Sequence, residues 1–270
     1  MSDAAAKRGR VRTRTSVPAV RALERGLMVL EALGGGGDVM LSDVARSTGL
    51  TCSTTFRLLE TLCQRGYAQQ DGDTGRYRLG ASAIQIGAAY AAGTPLPEAA
   101  NGAMEKLVAL TNETANLAVL DGPHAVYIHQ VESLRSVRMF TELGARTPVY
   151  CTGVGKVLLA WRPVEEVSRL LADVEFEKFT PHTIPNLKSF LAELQRVRGQ
   201  GYAVDDQERE LGVRCATAPV RDLRGAVVAA ISVSAPVSRF PKKLIAQRAR
   251  EVACAADAIS LRLGYASTSK

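Results

Sequence analysis

The most constraining stretch of this 270-residue chain runs from Leu41 to Leu62. Leu41 to Gly49 reads as a short helix. Ser42 is placed to cap its first turn, Asp43 suits the positive helix end, and Gly49 can take the left-handed conformation that closes it. Thr51 then caps a second helix, with Thr55, Leu58, Leu59 and Leu62 at i, i+3, i+4 and i+7 as its buried face, and Gly66 ends it. Two short helices joined by a glycine-containing turn make a helix-turn-helix. Upstream, Val20, Leu23, Leu27, Leu30 and Leu33 form one apolar stripe of a further helix, which the glycines 34–37 stop. Downstream, Tyr67-Ala-Gln-Gln and Arg76-Tyr-Arg-Leu flank the turn Asp71-Gly-Asp-Thr-Gly75, a hairpin signal. Three helices followed by a hairpin with basic residues on its second strand predict a winged helix over residues 19–80.

Opposite the buried stripe of the second helix lie Ser53, Thr54 and Arg57, near its N-terminal half. In helix-turn-helix proteins that half enters the major groove. There an arginine can pair bidentately with guanine O6 and N7, and hydroxyls reach phosphate or base edges. Arg76 and Arg78 on the wing suit phosphates. Residues 1–18 add Lys7, Arg8, Arg10, Arg12 and Arg14 against the single acid Asp3, which reads as a solvated tail or as a basic arm that follows the DNA backbone.

Residues 81–96 read as a linker helix broken by Pro95 and Pro97. Residues 97–264 read as a separate α+β domain, followed by a 265–270 tail. Helices are expected over 98–111, after Gly153, and over 163–172, 186–199 and 241–263. Strands are expected at 115–120, 125–131, 202–205, 213–220 and 226–234. No apolar run approaches a membrane span, and no apolar stretch follows the basic N-terminus, so a cytoplasmic location is expected. The five cysteines are widely spaced with no C-x-x-C pair, which fits a reducing compartment and disfavours a structural zinc site.

Three features of the second domain suit a ligand. Thr152-Gly-Val-Gly-Lys156 runs into a helix, whose first backbone amides form a ready carboxylate or phosphate site. It is not a P-loop, because Tyr150 stands where the first glycine belongs and Val157 follows the lysine. Asp205-Asp206 follows a short apolar strand. Ser232 and Ser234 share one face of a strand whose other face carries Ile231 and Val233, so the serines line either an outer surface or a pocket wall. As an anion, Asp205 would repel an acid unless it faced a hydroxyl or hydrated carbonyl of the ligand.

The segments Leu41-Ser-Asp-Val-Ala-Arg-Ser-Thr-Gly-Leu50, Ser53-Thr54-x-x-Arg57-Leu-Leu and Thr74-Gly-Arg-Tyr-Arg-Leu-Gly80 resemble the DNA-binding half of the IclR (isocitrate-lyase regulator) family. The resemblance continues through Arg138-Met139, Cys151-Thr-Gly-Val-Gly-Lys-Val-Leu-Leu-Ala160, Gly201-Tyr-Ala-Val-Asp-Asp206, Gly212-Val-Arg-Cys215 and Ala230-Ile-Ser-Val-Ser-Ala235. It implies a two-domain α+β fold: an N-terminal winged helix-turn-helix, a linker helix and a C-terminal GAF-like effector domain with an antiparallel sheet. It also implies a small organic-acid effector surrounded by Met139, Gly153, Val154, Asp205, Cys215, Ser232 and Ser234. Two departures touch the reading helix: Cys52 stands where many relatives carry lysine, and Thr55 where they usually carry valine. Val154 replaces a frequent alanine and narrows that wall.

The resulting expectation is a transcription regulator, more in the manner of a repressor, that binds a palindromic double-stranded operator as a homodimer or homotetramer. It would need no cofactor, metal or catalytic residue. A thiol redox switch at Cys215 or Cys151 is the alternative that keeps DNA binding. An enzymatic Cys215 would need a histidine, and His124, His129 and His182 belong to no recognisable Cys-His signature.

Overall fold

The computed structural model describes residues 20–93 and 96–265. The chain divides into two compact units at Gly93/Thr94. The basic stretch 1–18 and the tail 266–270 lie outside the described residues.

The first unit contains α1 (Arg21–Leu33), α2 (Leu41–Thr48), α3 (Cys52–Gln64), β1 (Ala68–Gln70), β2 (Tyr77–Leu79) and α4 (Ala81–Gly93). Its core is small: Val29, Leu33, Val44, Leu59, Ala68 and Tyr77. Gly49 closes α2 in the left-handed region at φ 67°, and the Thr51 hydroxyl caps α3 by accepting from the Thr54 amide at 3.2 Å. Antiparallel β1 and β2 form the wing, and Val39 adds a bridge to Tyr77 through two backbone hydrogen bonds of 2.8 and 2.9 Å. Gly80 is required here, since a Cβ on it would meet the Gly66 carbonyl at 2.2 Å.

Three details differ from the sequence expectation. The residue before α2 in extended backbone is Met40, which makes no side-chain cap, so Ser42 lies inside the first turn rather than capping it. Of the expected α1 stripe only Leu33 is enclosed and Leu30 half-buried, whereas Val20, Leu23 and Leu27 are exposed; the buried residue between them is Val29, outside the stripe. Pro97 breaks nothing. It stands in the first turn of α5, where a missing N–H costs no intrahelical bond, so Leu96 opens that helix instead of closing the linker.

The second unit contains α5 (Leu96–Thr111), β3 (Thr114–Asp121), β4 (His124–Val131), β5 (Arg146–Pro148), α6 (Gly153–Ala160), α7 (Val164–Leu170), α8 (Leu187–Gln200), β6 (Ala203–Asp206), β7 (Val213–Arg221), β8 (Val227–Pro236) and α9 (Ile245–Arg262). One antiparallel sheet in the order β5-β4-β3-β8-β7-β6 runs through it. On one face Leu117, Ala216, Ile231 and Val233 pack with Met104, Val252 and Ile259 of α5 and α9. On the other, Ala118, Ala203 and Ala230 pack with Val154, Val157, Leu158 and Phe190 of α6 and α8. The period-2 alternation of the strands places the polar residues that interrupt this second face beneath the start of α6. Among the described residues no helix is long and apolar enough to cross a membrane.

Candidate nucleic-acid interface and ligand pocket

The cap at Thr51 starts α3 in a position that turns Cys52, Ser53, Phe56 and Arg57 outward. Thr54 is half-buried, and its hydroxyl accepts from the Thr51 hydroxyl at 3.0 Å. Phe56, 46% exposed beside Arg57, escaped the sequence reading although its only signal was visible: an aromatic out of phase with the apolar stripe. On the wing, the Arg76 guanidinium donates to the Asp38 carbonyl at 2.9 Å and so braces the loop before α2, whereas Arg78 is simply exposed. The wing turn is organised by the Asp71 carboxylate, which accepts from the Thr74 amide and hydroxyl at 2.8 Å each. Those bonds hold its pKa below the ordinary value.

In the second unit, β-strand register builds two polar rows on the face beneath α6. Thr114, Ser234, Cys215 and Asp205 stand side by side across β3, β8, β7 and β6. The next row is Gln130, Asn116, Ser232 and Thr217 across β4, β3, β8 and β7. Such neighbours lie about 5 Å apart. Three of these residues serve the fold: Asn116 accepts from Gln130 at 2.9 Å, and Thr114 donates to the Met139 carbonyl at 2.9 Å, which holds Met139 at the rim. Asp205, Cys215, Thr217, Ser232 and Ser234 line a cavity of about 130 Å³.

All seven residues expected around an effector line this cavity: Met139, Gly153, Val154, Asp205, Cys215, Ser232 and Ser234. Tyr127, Arg209 and Thr217 join them. The start of α6 forms its roof. Thr152 caps the helix by accepting from the Gly155 amide at 3.2 Å, which leaves the Gly153 and Val154 amides at the helix head. The two glycines have packing reasons. A Cβ on Gly155 would strike the Val149 carbonyl at 2.2 Å, and one on Gly153 would come within 2.4 Å of the Thr217 hydroxyl.

Lys156, which ends this stretch, serves the fold rather than the cavity. Only 1% exposed, its ammonium donates to Glu208 at 2.5 Å, to the Val204 carbonyl at 2.8 Å and to Glu193 at 3.2 Å, which occupies all three protons. Asp205 is 5% exposed and accepts from the Glu208 amide at 2.7 Å. Burial, reinforced by the Glu208 carboxylate, pushes its pKa up to about 7. Burial thus favours the protonated form of Asp205 over the anion expected from the sequence, and in that form it donates a hydrogen bond. At the mouth, the exposed Arg209 guanidinium stacks over Phe179 at 3.9 Å. The thiols run against a redox role. Burial pushes Cys151 up to about 12 and raises Cys215 as well, opposite to the low pKa of a reactive thiolate.

Comparison with known proteins agrees with this architecture. The IclR helix-turn-helix domain model matches residues 22–72, and the model described as bacterial transcriptional regulator IclR C-terminal matches residues 88–261. The chain is 36% identical over 237 residues to the HTH-type transcriptional regulator KdgR of Escherichia coli, covering 88% of this chain and 90% of that protein. It is 37% identical over 251 residues to the HTH-type transcriptional repressor AllR of Salmonella typhi, covering 93% and 92%. The solved IclR of Thermotoga maritima superposes with a TM-score of 0.73 at 30% identity, covering 92% of this chain and 100% of that one. These relatives carry the names of transcription regulators, not enzymes.

Proposed function

The chain belongs to the IclR family of bacterial DNA-binding transcription regulators, and from that premise we propose that it represses its target under control of a small organic acid bearing a second polar group. The observation that carries the acid is the convergence, in one cavity, of two helix-head amides with the hydroxyls of Ser232 and Ser234 and the titratable Asp205. Amides and hydroxyls satisfy a carboxylate, and Asp205 answers a hydroxyl or carbonyl elsewhere on the ligand. A homolog of the same fold from Microbacterium hydrocarbonoxydans, 23% identical, is complexed with 4-hydroxybenzoate, an acid of this description. The repressor assignment leans on the name of the Salmonella relative.

In this reading Ser53, Thr54 and Arg57 meet base edges, and Arg76 and Arg78 meet phosphates. One such head spans only a few base pairs, so the regulator acts in the cytoplasm as a homodimer or homotetramer on a palindrome with half-sites about one helical turn apart. The domain limits drawn from the sequence, 19–80 for the head and 97–264 for the sensor, belong to the same proposal.

A thermal-shift screen of 2-oxo, hydroxy and hydroxyaromatic acids tests it. An acid at 100 times its Kd adds about 2.7 kcal/mol to the folded state, a rise of several degrees. Asp205→Ala should weaken acids that carry a hydroxyl, Ser232→Ala should weaken all of them, and each hit should change the affinity for an operator duplex measured by fluorescence anisotropy. Hits that shift both variants as strongly as the wild type would move the pocket elsewhere.

A further inference from the structure

Thr217 is fully enclosed, and its hydroxyl has no hydrogen-bond partner among the described residues. Most buried hydroxyls do better. Thr111 and Ser260, for example, bond the carbonyl one helical turn back, at 2.7 Å each. An enclosed polar atom left unpaired destabilises a fold relative to an apolar group of the same shape, and valine would fill this position without that cost. The threonine therefore needs a reason outside the fold.

Its surroundings supply one. Thr217 stands on β7 beside Ser232 of β8, on the strand face that lines the cavity. Its Oγ1 is aimed at Gly153, the first residue of α6. The room it occupies exists because Gly153 has no Cβ, which would otherwise come within 2.4 Å. Gly153 and Val154 at the helix head and Thr217 and Ser232 on the sheet thus line the same cavity. A carboxylate offers about four acceptor positions. An alcohol or ketone oxygen offers fewer, and the positive helix head favours the anion.

We infer that Thr217 is a specificity-determining contact of this pocket, its hydroxyl donating to the carboxylate of the acid effector at the head of α6. The inference rests on the acid-sensing reading above. It implies a division of the ligand: the carboxylate lies on the Ser232–Thr217 row, and the second polar group on the Ser234–Cys215–Asp205 row. Gly153 then limits the site by holding the hydroxyl in place, since any larger residue there would displace it from the anion.

Two variants of the full chain separate this role from a packing role. Thr217→Val removes the hydroxyl and keeps the shape, and Thr217→Ser keeps the hydroxyl and drops a methyl. Melting temperature without ligand is measured for each, and Kd by calorimetry for pyruvate, lactate and 4-hydroxybenzoate. The valine variant should melt at or above the wild type, because an unpaired polar atom is gone, while its acid Kd weakens roughly ten- to a hundred-fold, as expected for a hydrogen bond to a charged group. The serine variant should bind within roughly threefold of the wild type. If acids bind wild type and Thr217→Val equally, the pocket stands and the assignment of Thr217 falls alone. If none of these acids binds the wild type, the acid reading falls and takes the partner of Thr217 with it.

Discussion

The two units keep the side chains proposed for function in opposite places. In the first, Ser53, Arg57 and Arg78 project into solvent from a scaffold whose core is six residues. In the second, Asp205, Thr217 and Ser232 are at most 5% exposed and sit between two cores. A surface that meets a polyanion can add function without touching packing, whereas a pocket must remove polar atoms from water and then satisfy them. Function and stability are therefore separable in the head and entangled in the sensor.

The hardest test of that contrast is Lys156. Replacing it with methionine leaves Glu208 and Glu193 facing each other without their shared cation. The loss should be about 3–5 kcal/mol, read as a lower denaturant midpoint of the sensor unit. A change below 1 kcal/mol would show that the trio is not a buried network at all.

Asp205 comes next. Its pKa is 3.8 in the unfolded chain and about 7 in the folded one, because burial and Glu208 outweigh Lys156 and the backbone bonds that lower it. Between those values the folded chain holds a proton that the unfolded chain has released, so stability falls as pH rises through the window. The total is about 2–4 kcal/mol between pH 4 and 8, and Asp205→Asn should flatten the profile. The groups that act on Asp205 are Glu208, Arg209, Lys156, Cys215 and Tyr127, and none is replaced in that variant. An unchanged slope would assign the titration to another group.

In the head, Arg57→Ala should weaken a selected operator by roughly 1–3 kcal/mol more than random DNA, while stability moves by less than about 0.5 kcal/mol. Arg78→Ala should weaken both DNAs about equally and flatten the salt dependence. Arg76→Ala should affect DNA least, because its guanidinium is already committed to the Asp38 carbonyl. An Arg57 variant that melted early would erase the distinction between the units.

The same contrast decides what could be read in advance. The head is built from neighbours in sequence: a Thr51 cap, a Gly49 turn and a stripe at helical spacing announce α3, and turn chemistry announces the wing. In the sensor, period 2 placed Ser232 and Ser234 on one face. The rest depended on pairings that no local pattern carries. Thr217 sits in Cys-Ala-Thr-Ala-Pro, which reads as plain core strand, and nothing there says that Gly153 will abut it. Nothing near Lys156 in the sequence announces the glutamates of α8 and of the turn after β6 that the fold brings to it. β5, three residues ending in a proline at the sheet edge, is too short to give a period. The stripe on α1 was legible as a helix, but an apolar stripe shows only that a helix has a side to cover, not that its own unit covers it.

The strand order has a consequence in time. β3 lies near the start of the sensor and β8 near its end, yet they are adjacent in the sheet, and both polar rows pass through that seam. During synthesis the helices of the head close on local contacts soon after they emerge, whereas the seam waits until nearly the whole unit has been made. A chain halted before β8 would carry a complete winged helix but lack Ser232 and Ser234, and with them the seam on which both polar rows depend.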